Sequence, residues 1–131
     1  MKKILFLVIL LLGAMPAMAT NDTLSVATCL YTGITPSFTS AADTVYVPNN
    51  GYTLIEVKNA SGGEITVTVH SQIAAEEGQA ASDLEVAVAA TTGDKIIGPL
   101  KQGVWNDSAG YVMLTFSAKT SVTVNARKIP R

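Results

Sequence analysis

The side chains able to do chemistry in this chain are few, and their spacing assembles no reactive group. There is one histidine, His70, and one cysteine, Cys29. Together they fall short of a zinc site, which draws three or four ligands from Cys, His and carboxylates. His70 closes an alternating stretch on its polar face, the place of a surface or loop-shielded imidazole. Glu76 and Glu77 are adjacent, but they lie in an alanine-rich stretch without periodicity. Paired catalytic carboxylates need a fixed separation on rigid elements. The acidic residues also lack the calcium-loop spacing of alternate Asp with a distal Glu. Asp43, Asp94 and Asp107 stand at turn positions, where an Asp side chain caps its own backbone. Serine is plentiful, yet no Gly-x-Ser-x-Gly elbow occurs and only His70 could act as base. Neither Gly62-Gly63 nor Gly98-Pro99 opens a helix that could seat a phosphate. The expectation is a protein that is not an enzyme, with no catalytic residue, no cofactor and no metal.

The aromatic residues are what remains. Trp105, with Tyr52 and Tyr111 at outward strand positions, is the set best suited to a contact surface, whether for a sugar or for another protein. Trp is seldom left in water, so packing between sheets or at a subunit contact is the favoured role. A lone Cys29 excludes an intramolecular disulfide and suits a small buried strand residue. Asn21-Asp22-Thr23, Asn59-Ala60-Ser61 and Asn106-Asp107-Ser108 have the form of glycosylation acceptors. Beside a short leader of bacterial appearance they read as turn chemistry.

That leader begins with Met1-Lys2-Lys3, continues through the apolar run Ile4 to Gly13, and ends on Ala17-Met18-Ala19. This is the layout of a secretory signal peptide with cleavage after Ala19. Its apolar stretch is shorter than the roughly 20 residues needed to span a bilayer, so no stable membrane span is expected after cleavage. The domain division is therefore 1–19 as signal peptide and 20–131 as a single domain. Lys2 and Lys3 leave with the leader, so seven basic residues face ten acidic ones, a charge of −3. Such a surface offers no footprint for nucleic acid. A domain of this length buries about two-thirds of its surface, enough for one core.

The elements that must position these residues read as strands. Leu24–Thr32 alternates weakly and ends at Gly33-Ile34-Thr35-Pro36; Ser37–Asp43 reads as a loop; Thr44–Val47 is a short strand stopped by Pro48-Asn49-Asn50-Gly51. Gly51–His70 carries the clearest signal. Thr53, Ile55 and Val57 share one face, Ile65, Val67 and Val69 share another, and Asn59-Ala60-Ser61-Gly62-Gly63 lies between, so two strands folded back on each other as a hairpin are expected. Ile73–Ser82 is the alanine-rich stretch, a loop or broken helical turn. Leu84–Ala89, Lys95–Ile97, Tyr111–Ala118 and Ser121–Ala126 continue the alternation, with turns at Thr91–Asp94 and Asn106–Gly110 and a tight connection at Lys119-Thr120. About eight short strands at this spacing predict an all-β fold, an antiparallel, jelly-roll-like β-sandwich.

Several segments then form a recognisable set: Tyr31–Pro36, Val57–Val69, Ile97–Leu100 followed by Trp105-Asn106-Asp107, and Val112–Val124. Together, over most of Leu30–Ala126, they resemble small β-sandwich structural proteins of tailed bacteriophages and prophages, usually taken as head-decoration or minor virion proteins. The resemblance implies a non-enzymatic assembly module that binds protein subunits of a capsid-like lattice, often as a homo-oligomer, and it carries over no catalytic residues. The leader sets this chain apart and implies an exported phage-type domain, periplasmic or extracellular, or a virion protein with an unusual assembly route. Two other expectations stand beside it. One is an exported carbohydrate-binding or adhesive module using Trp105 and the tyrosines. The other is a subunit of an extracellular filament built by edge-strand pairing.

Overall fold

The computed structural model of the chain describes residues 18–73 and 82–130. Most of the expected leader and of the stretch Ile73–Ser82, including Glu76 and Glu77, lies outside the described residues. Among the described residues ten strands form: β1 (Asn21–Thr23), β2 (Val26–Thr28), β3 (Thr39–Ser40), β4 (Thr44–Pro48), β5 (Thr53–Asn59), β6 (Ile65–Val69), β7 (Leu84–Val88), β8 (Gly93–Ile97), β9 (Tyr111–Phe116) and β10 (Val122–Lys128). A single helical turn, α1 (Gln102–Trp105), precedes β9. One sheet has the order β1-β4-β9-β6-β7 and the other β2-β10-β5-β8, with β3 also pairing β10. The two sheets close a sandwich, as the alternation predicts.

Burial follows the period of two. Val45 and Val47, Ile55 and Val57, Ile65, Val67 and Val69, Val112 and Leu114, and Val122 and Val124 are each no more than 2% exposed. The residues between them largely point outward, as strand geometry requires. Burying side chains of this size contributes about 1.5–3 kcal/mol each, and β-branched valine also fits the pleat.

Five expectations are corrected. The sheets are mixed rather than antiparallel throughout: β1 runs parallel to β4, and β2 parallel to β10. Of the expected strand Leu24–Thr32 only Val26–Thr28 forms, as β2, while β1 precedes it in the other sheet and the buried Leu24 lies between them. Neither is followed by a tight turn to its sheet neighbour, so nothing local forces antiparallel pairing. The supposed loop Ser37–Asp43 contains β3, and the supposed turn at Gly93-Asp94 belongs to β8.

The fifth correction concerns Gly51–His70. β5 and β6 are not hydrogen-bonded to each other; β5 lies between β10 and β8 in one sheet, and β6 between β9 and β7 in the other. The connection is an arch that crosses the core, and Ile55 and Val57 belong to the sheet opposite Ile65 and Val67. Both arrangements satisfy the same alternation, because each buries alternate residues of each strand. Asn59 fixes the arch. Its Nδ2 donates to the carbonyls of Gly63 (2.8 Å), Val88 (3.2 Å) and Ala89 (3.0 Å), and its Oδ1 accepts from the Ser61 N–H (2.9 Å) and hydroxyl (2.6 Å). A tight hairpin would leave that amide at the surface; here it is 1% exposed. Lys119-Thr120 likewise joins β9 to β10 across the two sheets.

Candidate functional site

The strand directions sort the connections into two ends. At one end lie the close of β2, the β4–β5 connection, the close of β6, the segment from β8 through α1 to β9, and the close of β10. At the other lie Thr20, Asp43 and the connections β5–β6, β7–β8 and β9–β10.

Asn49 organises the first end. Its side-chain Nδ2 donates to the Leu100 carbonyl (2.8 Å) and to Asn106 Oδ1 (2.7 Å), and its Oδ1 accepts from the Gly51 N–H (3.0 Å). Its carbonyl accepts from Asn106 Nδ2 (2.8 Å) and Gln102 Nε2 (3.2 Å). Its N–H donates to the Gly110 carbonyl (3.1 Å). One buried residue therefore ties the β4–β5 turn to α1 and to the start of β9. Gly51, at φ +86°, supplies the left-handed residue that this turn requires. The Pro48-Asn49-Asn50-Gly51 run announces a turn, but its sequence does not reveal that Asn49 faces inward and bonds Asn106, 57 positions away.

This hub brings the three expected contact aromatics to one end. Tyr52 is exposed at the mouth of β5, Tyr111 is half-buried at the start of β9, and Trp105, in α1, is half-buried and packs against the core. Tyr52 and Gln102 border an open groove of about 520 Å³ with Asn50, Pro99 and Lys101. Four further apolar residues, which the alternation did not single out, share this end: Leu30, Tyr31, Ile73 and Ile129 are all exposed. Their placement is set by backbone bonds. The Cys29 N–H donates to the Lys128 carbonyl, the Ile129 N–H to the Tyr52 carbonyl, and the Gln72 N–H to the Val104 carbonyl. Cys29 itself is half-buried just past β2, rather than buried within a strand.

His70 has partners after all. Its Nδ1 lies 2.9 Å from Asp83 Oδ2 and its Nε2 lies 2.8 Å from Thr115 Oγ1. Carboxylate, imidazole and hydroxyl in a row have the connectivity of an activated nucleophile. The strand that carries the hydroxyl does not complete one. Thr115 sits within β9, paired to Thr44 on one side and Thr68 on the other. The N–H groups of a doubly flanked strand go to the ladder, so β9 itself offers none to form an oxyanion hole. Asp83 Oδ1 also accepts from the Ser71 N–H (2.8 Å). The row therefore closes the two ends of the segment between β6 and β7 onto the outer face of the sheet.

A second cavity, of about 430 Å³, lies under the N-terminal strands, lined by Leu24, Ser25, Val26, Thr39 and Asn125 among others. Asn125 Nδ2 donates to the Ser37 carbonyl (2.6 Å), whereas its Oδ1 is a buried polar atom without a partner. That oxygen is closed to a water-sized contact, so it offers nothing to the cavity. At the far end, Asp43 Oδ2 accepts from Lys119 Nζ (2.7 Å) and from both the N–H (2.7 Å) and the hydroxyl (2.9 Å) of Thr20. The Lys119 ammonium, reinforced by Thr20, lowers the Asp43 carboxyl to about 2. Asp107 does act as a turn cap, its Oδ1 accepting from the Ala109 and Tyr111 N–H groups. Among the glycosylation-type asparagines, Asn59 is buried and Asn106 is committed to Asn49.

Among the described residues no three His, Cys, Asp or Glu side chains group together to hold a metal ion, and no helix is long and apolar enough to cross a membrane. Comparison with protein-family models, with curated proteins and with solved structures found no match.

Proposed function

We propose that this chain is a non-enzymatic, exported assembly module that binds other protein subunits through the end of the sandwich carrying Leu30, Tyr31, Tyr52 and Ile129. The observation that carries this reading is the uneven distribution of exposed apolar side chains. Leu30, Tyr31, Tyr52, Ile73 and Ile129 share one end, while Ile96 stands alone on the outer face of β8 and Met18 lies near Thr20 at the other end. Apolar residues gathered in one place on a small domain mark an interaction surface, whereas scattered ones do not. A row containing two tyrosines also has the composition favoured at interface centres. The segment resemblance to phage head-decoration proteins supports a capsid-like lattice or a second copy of the chain as the partner. An exported location, or a place in a virion, follows from the leader and from that resemblance.

The test is light scattering of the exported protein, alone and with capsid shells, followed by the Leu30→Asp/Tyr31→Asp variant. Oligomers or shell binding that this variant abolishes are expected. A stable monomer that binds no shell would sink the reading. The groove beside Tyr52 favours a second reading, a glycan-binding module, because a tyrosine there borders Asn50 and Gln102, which can hydrogen-bond hydroxyl groups. A glycan-array signal unchanged by Tyr52→Ala disposes of it.

A further inference from the structure

We infer that Asp43 is the seat of a newly made N-terminus: once the leader is cut after Ala19, the Asp43 carboxylate holds the α-ammonium of Thr20 and so distinguishes the processed chain from its precursor. The inference rests on the signal-peptide reading above, but its geometry is independent of it. Ala17-Met18-Ala19 places the scissile bond between Ala19 and Thr20. The fold places an anionic acceptor 2.7 Å from the nitrogen on the far side of that bond.

Thr20 is held by every polar atom it has. Its nitrogen and hydroxyl donate to Asp43 Oδ2, the Asp43 N–H reaches back to its Oγ1 (3.4 Å), and its carbonyl accepts from the Thr44 N–H (3.1 Å). Met18, Ala19 and Thr20 are exposed, and β1 starts at the residue after Thr20. Among the described residues the charged groups around the seat are Asp43 itself and Lys119, from the β9–β10 connection, whose Nζ is 2.7 Å from the carboxylate and 3.4 Å from Thr20 Oγ1. Asp22, on β1, is turned to its own neighbour, the Thr23 N–H.

Cleavage changes the chemistry of one atom. A small-residue-specific endopeptidase adds water across the Ala19–Thr20 bond. The hydroxyl goes to the Ala19 carbonyl carbon and the C–N bond breaks. At neutral pH the products are a carboxylate on Ala19 and an ammonium on Thr20. The nitrogen that offered one neutral N–H now offers three donors and a full charge, and a charge-assisted bond to a carboxylate is about twice as strong as a neutral one. The seat is half exposed, so water screens the gain, and Lys119 competes for the same oxygen.

The full-length chain is expressed, and its exported form is collected for mass spectrometry and for an NMR pH titration of the Thr20 amine. The expected terminus is Thr20, with an amine that titrates roughly half a unit above the ordinary terminal value near 8. Asp43→Asn returns it to the ordinary value. Lys119→Met raises it further, because a competing cation has gone. A raised folded-state value means that the stabilisation is present at neutral pH and is lost as pH rises through the amine's titration. A terminus other than Thr20 overturns the cleavage reading and the inference with it. A Thr20 terminus whose amine titrates alike in the parent chain and in Asp43→Asn overturns the seat while leaving the cleavage reading intact.

Discussion

Single polar side chains hold this sandwich together at its connections, and they are where substitutions act most sharply. Asn59 bonds three carbonyls and two Ser61 donors from a position 1% exposed. Asn59→Ala leaves those groups without their partner, at about 1–3 kcal/mol for a buried unsatisfied set. Urea unfolding should show a midpoint lowered to match, and Asn59→Asp should not rescue it, because a carboxylate cannot donate to carbonyls. Asp43 gives a different signature. Its carboxyl lies at about 2 in the fold, held there first by Lys119 and then by Thr20. A depressed folded-state value stabilises the protein above the ordinary carboxylate range, and that stabilisation disappears as pH falls from about 4 to 2. The unfolding midpoints of the parent chain and Asp43→Asn should therefore differ at pH 6 and converge near pH 2.

At the scale of elements, the arches decide the fold. The pairing of β5 with β10 and β8 predicts cross-strand proton contacts from Val57 to Val124 and Lys95, and none across a ladder to β6. NMR cross-strand contacts distinguish the two; a Val57–Ile65 ladder contact would restore the hairpin. Gly93 belongs to the same argument. A Cβ there would sit 2.0 Å from the Ala89 carbonyl oxygen, a backbone atom that cannot swing aside. Gly93→Ala should destabilise the β7–β8 connection, by at least the roughly 1–3 kcal/mol typical of overpacking, and thermal melting reads it. Strand existence was legible from Gly51 to Val69 and from Tyr111 to Ala126 because each strand buries one face, and period two records that face directly. Sheet membership was not legible. Val57 alternates identically whether its partner strand is β6 or β10, and the deciding bonds run from Asn59 to Val88 and Ala89, 29 and 30 residues away. The parallel pairing of β1 with β4 and of β2 with β10 was hidden for a related reason: strands of three residues leave too little pattern to read.

The whole molecule is polar in the sense of having two unlike ends. The aromatic set Trp105, Tyr52 and Tyr111 was legible by residue type, and the Asn49 hub gathers it at one end, but Leu30, Tyr31 and Ile129 were not legible. They lie where alternation is weak or absent and become neighbours only because β2 and β10 run parallel and finish together. The opposite end holds Thr20, Asp43 and Lys119. Strands of five to seven residues separate the two ends by roughly 15–20 Å. Sites that far apart, with no shared partner, act additively to within about 0.5 kcal/mol. The two ends should therefore respond to substitution independently. Leu30→Asp/Tyr31→Asp replaces side chains that contribute little to the core, so its stability should stay within about 0.5 kcal/mol of the parent while association is lost. Asp43→Asn should do the reverse, altering the acid dependence of stability and leaving association unchanged. Combining them should give the sum of both effects in a matched set of unfolding and light-scattering measurements. If Asp43→Asn alone weakened association, the two ends would be coupled through the sheets, and the interaction surface would extend well beyond the row of Leu30, Tyr31, Tyr52 and Ile129.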